Sequence, residues 1–75
     1  MVFRLKTYKD PSIPKYLAIK VIHDTCGHSK KVVNLKVDQL YKQDSVFLYS
    51  GDLYDVLRMA TQLKVNGMAY TIVLV

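Results

Sequence analysis

The sequence predicts a two-layer α+β domain in the order β-β-β-β-α-β. It is a four- to five-stranded, mostly antiparallel sheet with one helix packed on one face. Three observations predict it. Apolar and polar residues alternate at period two through residues 2–8, 16–23 and 31–37. Leu53, Val56, Leu57, Ala60 and Leu63 form a single stripe at helical spacing. Turn formers such as Pro11, Pro14, Gly27, Ser29 and the Asn66-Gly67 pair punctuate these runs.

Residues 2–8 read as the first strand, with Phe3, Leu5 and Thr7 on one face and Arg4, Lys6 and Tyr8 on the other. Residues 9–15 read as a loop, because neither proline can donate to a ladder. Residues 16–23 read as the second strand. Leu17, Ile19 and Val21 share one face; Tyr16, Ala18, Lys20 and Ile22 share the other. Residues 24–30 make the hairpin turn. Residues 31–37 make the third strand, with Val33, Leu35 and Val37 inward and Val32, Asn34 and Lys36 outward. Residues 38–45 either extend that strand or form a helical turn, and residues 46–49 are a short fourth strand.

Ser50 or Asp52 then caps a helix, with Asp52 and Asp55 in the first turn, where the helix dipole favours anions. Asn66-Gly67 supplies a left-handed stop after Lys64. Residues 68–75 are almost wholly apolar, which predicts a central strand joined to the fourth by a right-handed parallel crossover. The last strand closes the chain, so no tail is expected to carry function.

With 75 residues the chain is one domain, residues 1–75. A domain this small buries only about 60% of its unfolded surface. Yet 51% of its residues are hydrophobic. The surplus must stay exposed or meet a partner, which points to self-association or a binding surface. Cys26 is the only cysteine, so no internal disulfide forms and a reducing, intracellular, cytoplasmic setting is expected. No apolar run has the length of a signal peptide core or of a membrane span. The net charge of +5 is uneven. Residues 1–42 hold nine cations against Asp10, Asp24 and Asp38, giving +6; Arg58 and Lys64 against Asp44, Asp52 and Asp55 give −1 for the remainder.

No dinucleotide fingerprint, phosphate-binding loop or nucleophile elbow is present, and the carboxylates are scattered at element ends. No enzyme activity and no cofactor are expected. His23, Cys26 and His28 are weak metal candidates. A structural zinc site uses four ligands in two spaced pairs, and only Asp24 is at hand to complete this one, so no metal is expected. The same residues lack the pocket that a Cys–His nucleophile needs.

Two binding surfaces remain. The outward sheet face should present Arg4, Lys6, Tyr8, Tyr16, Lys20, Asn34 and Lys36, cations and tyrosines that suit phosphates and bases. Only two of the eleven cations are Arg, which lowers nucleic acid to second place. Tyr41, Tyr49 and Tyr54 form an alternative cluster, since Tyr buries area at low entropic cost in protein interfaces. The expectation is a non-catalytic module that binds another macromolecule. A protein partner or self-association comes first, in the manner of the accessory and inhibitor proteins of viruses and mobile elements.

Overall fold

The computed structural model describes residues 1–75. The elements run β1 (Phe3–Tyr8), α1 (Lys15–Cys26), α2 (Lys30–Gln43), β2 (Ser45–Gly51), α3 (Leu53–Val65) and β3 (Tyr70–Leu74). The protein is α+β, with three strands in one antiparallel sheet and three helices. The expected four- to five-stranded sheet with a single helix is wrong. The second and third predicted strands are helices α1 and α2.

Each helix has a physical reason in the sequence. α1 starts after Pro14, whose carbonyl accepts from Leu17 N and Ala18 N. It ends where Gly27 adopts a left-handed φ of 69° and its N–H donates to the His23 carbonyl. Ala18, Val21, Ile22 and Thr25 are its buried residues, spaced one turn apart on one face. Ser29 caps α2 by accepting from Val32 N, and Val33, Val37 and Leu40 are buried beneath it. α2 runs on to Gln43 and stops at Asp44, whose φ of 66° is left-handed. The ambiguous residues 38–45 are therefore mostly the last turns of this helix.

α3 is where the sequence placed it. Asp52 caps it by accepting from Asp55 N at 2.9 Å. Its core stripe is Val56, Met59, Ala60 and Leu63, while Leu53 and Leu57 lie outside it, at 42% and 48% exposure.

The strand order is β2-β1-β3, with β1 antiparallel to both neighbours. β2 and β3 thus run parallel to each other, as the crossover predicted, but β1 lies between them. β3 is an edge strand, not the central one. Leu5, Thr7, Val46 and Leu48 point toward the helices and are buried, forming one core with the helix stripes. The opposite face of the sheet is open. The β1–β2 register slips between Leu5, opposite Tyr49, and Lys6, opposite Phe47. Leu48 is the extra residue of a bulge, which turns both Leu48 and Tyr49 toward the helices. Tyr49 then folds over Gly51, where a Cβ would come within 2.6 Å of the ring.

Candidate functional site

β1 alternates as its sequence dictates, so Arg4, Lys6 and Tyr8 share the open face of the sheet. Phe47 joins them from β2, directly opposite Lys6. The Arg4 guanidinium lies 3.7 Å from the centre of the Phe47 ring, and the Lys6 ammonium lies between the Phe47 and Tyr8 rings at 5.2 and 5.8 Å. Tyr8 Oη shares a 2.9 Å hydrogen bond with Thr71 Oγ1 of β3. Lys36 arrives from α2 and donates its Nζ to the Phe47 carbonyl at 2.9 Å. Arg4, Lys6, Lys36, Gln39, Gln43 and Phe47 line an open groove of about 380 Å³. A neighbouring groove of about 360 Å³ shares Arg4, Lys36 and Phe47 and adds His28.

No acid lines either groove. Asp44 pairs with Lys9, Asp38 with Lys15, Asp24 with His23 and Asp55 with Arg58. Asp10 accepts from Ser12, and Asp52 caps α3. These are all six acids of the chain, so the charges of Arg4, Lys6 and Lys36 are uncompensated. The Lys15 ammonium, through its hydrogen bond and charge, holds the Asp38 carboxyl below the usual carboxylate range.

Of the seven residues expected on the sheet face, the structure brings together Arg4, Lys6, Tyr8 and Lys36. Tyr16 and Lys20 lie on α1 and Asn34 on α2, so their assignment to the sheet is overturned. Lys36 also lies on α2 but reaches the sheet by its length. Phe47, Gln39 and Gln43 were missed; the all-apolar run of residues 46–49 carried no alternation that set Phe47 apart.

The three tyrosines are held at separate places. Tyr41 Oη donates to the Ile13 carbonyl and Tyr49 Oη to Asp55, while Tyr54 is exposed near the start of α3. His23, on α1, sits 3.6 Å from Asp24. His28 turns away and bonds the Leu48 carbonyl at 2.9 Å. Cys26 ends α1, half-buried, and burial pushes its thiol up to about 11. No three His, Cys, Asp or Glu side chains come together in a way that would hold a metal ion. No helix is long and apolar enough to cross a membrane.

A second surface lies on the other side of the molecule. Leu53, Tyr54, Leu57, Val65, Tyr70, Leu74 and Val75 are exposed and belong to α3, β3 or the residue that follows. Val73, opposite Arg4, is exposed on the open sheet face, and Tyr16, Leu17, Val32 and Leu35 are exposed on α1 and α2. No charged residue occurs in residues 66–75. β3 has no neighbour on its outer side. The outer side of β2, in contrast, is covered: α2 packs beside it, and Lys36 and His28 bond the consecutive carbonyls of Phe47 and Leu48.

The chain matches no family model and no curated protein sequence.

Proposed function

We propose that the chain is a non-catalytic binding module whose partner is a protein, taken on the apolar side formed by β3 and α3. One observation carries this reading: the fold shuts one sheet edge with side chains and leaves the other open, uncharged and flanked by exposed Leu and Val. An unpaired apolar edge is a template for another chain, which proteins usually blunt with charge, Pro or cover. The state of the nucleophile candidates supports a role without catalysis. Burial pushes the Cys26 thiol up to about 11, further from the thiolate that a nucleophile needs, and His28 is engaged with the backbone of β2. A photoreactive residue at Leu57 should yield a discrete protein adduct in the cells that make the protein. The same residue at Lys20, on α1, should not. Equal labelling from both positions, or none from Leu57, removes the reading.

A second reading is single-stranded nucleic acid on the open sheet face. Arg4, Lys6 and Lys36 converge around Phe47 with no acid among them. Cations beside a half-buried aromatic suit a phosphate backbone and a stacked base. Binding that weakens steeply with salt and depends on Lys6 and Phe47 is its expected signature.

A further inference from the structure

Resting on the reading of β3 and α3 as a protein-binding side, we infer that the partner is a second copy of the chain. The two copies pair antiparallel along β3 about a two-fold axis at Ile72, giving one continuous sheet in the order β2-β1-β3-β3-β1-β2.

The backbone defines the chemistry of the occupant. Val75 N donates to the Val2 carbonyl at 2.9 Å, and Tyr8 N donates to the Ala69 carbonyl at 3.3 Å. Alternation of the antiparallel ladder between these bonds turns Thr71 and Val73 toward β1. It leaves the N–H and C=O groups of Tyr70, Ile72 and Leu74 pointing outward. Only an extended backbone can pair such a row.

A second β3 fits it in one register. With Ile72 facing Ile72 of the other copy, Tyr70 faces Leu74, and every outward N–H meets an outward C=O. The side chains agree with that register. Tyr70, Ile72 and Leu74 point to the helix side, opposite Thr7, Leu5 and Phe3 of β1. An aromatic–aliphatic pair and an Ile–Ile pair across the axis are favourable cross-strand contacts.

Charge allows the pairing even though each copy carries +5. The strand is uncharged, and the cluster of Arg4, Lys6 and Lys36 lines the groove beside β2 rather than the β3 edge. A lasting two-fold interface needs roughly 1,000 Å² in total, more than one strand pair supplies. α3 adds the remainder. Gln62 lines a groove against α1; Leu57 and Leu53 lie on the opposite flank of the helix, at 100° per residue. They stand beside the open edge, where the second copy would cover them.

Sedimentation of the purified chain from micromolar to millimolar concentration tests the inference. The mass should rise from that of one chain to that of two. Leu74→Pro removes an outward N–H and no bond to β1, so it should weaken association by about tenfold or more with an unchanged far-UV spectrum. Leu57→Lys, at an exposed position, should weaken it without affecting the fold even if the proline variant unfolds. Lys20→Ala should associate as the native chain does. A monomer at millimolar concentration overturns the inference, as does a dimer that both β3 and α3 variants leave intact. The cross-link from Leu57 separates the two levels of the argument. An adduct of twice the chain mass supports the second copy. A discrete adduct of another mass from a monomeric chain overturns the second copy and leaves the protein-binding side standing. No adduct overturns both.

Discussion

Cys26 shows how one side chain's surroundings set its chemistry. It ends α1 against the core, and loss of water around it raises the thiol from 9.0 to about 11, with the Lys36 charge opposing only in part. The folded state therefore favours the neutral thiol. That preference contributes stability in full below pH 9.0 and loses it as pH rises toward 11. A disulfide reagent should modify native Cys26 more slowly than the unfolded chain below that window, and faster as pH climbs through it. Labelling at the unfolded rate below pH 9.0 contradicts this. The leucines of α3 supply a second residue-scale prediction. Leu63 is fully buried, whereas Leu57 is 48% exposed. Leu63→Ala should cost about 2–5 kcal/mol in chemical denaturation. Leu57→Ala should cost under about 1 kcal/mol in the monomer. The stripe drawn from sequence included both, because a helical repeat fixes which residues share a side only to within one position. Packing against α1 and the sheet then chose Val56, Met59, Ala60 and Leu63.

At the scale of elements, caps govern where helices begin and end, Asp52, Ser29 and Gly27 among them. Asp52→Ala removes the side chain that accepts from Asp55 N and should cost about 0.5–2 kcal/mol, read from the thermal midpoint. Gly27→Ala has open space for its Cβ but meets a φ of 69°, so it should destabilise by roughly 1 kcal/mol through the backbone alone. An unchanged midpoint in either variant would mean that its helix end is not set there. The same caps explain what could be read in the sequence. β1 and α3 were legible because one period dominated each of these segments, while the cap of α3 was left between Ser50 and Asp52, of which Asp52 is the one that caps. α1 and α2 were not. Leu17, Ile19 and Val21 alternate and are rich in β-formers, but Ala18, Val21, Ile22 and Thr25 keep an equally regular helical spacing. Both patterns fit the same residues. Length and punctuation could have decided, since Pro14 and Gly27 bracket a run too long for a typical strand. Ser29 is a cap of the kind recognised at α3. Misplacing these helices moved Tyr16, Lys20 and Asn34 off the sheet and left Phe47 unnoticed.

The whole molecule has two faces and two edges, and each pair is unequal. Helices cover one face and leave the other basic. Side chains close the β2 edge, while the β3 edge is apolar and open. The net charge of +5 therefore does not describe the binding surface. Lys9 and Lys15 are paired with Asp44 and Asp38, whereas Arg4, Lys6 and Lys36 stand together without an acid. Three cations are a small footprint for nucleic acid. A protein that neutralises Z phosphates loses affinity with a log–log salt slope of about −0.7Z on single strands. Three contacts give a slope of about −2, which leaves weak binding at ~0.15 M salt. Lys6→Ala and Lys36→Ala should each lower the magnitude of the slope by about one unit or slightly less. Lys20→Ala, on α1 beside the groove with α3, should leave it unchanged. Phe47→Ala should weaken binding at every salt concentration without altering the slope, because stacking releases no counterions. Filter-binding titrations over a range of salt measure all four variants. Submicromolar affinity at ~0.15 M salt, lost when Lys6 and Lys36 are replaced together, would put the basic face ahead of the apolar edge as the working surface of this protein.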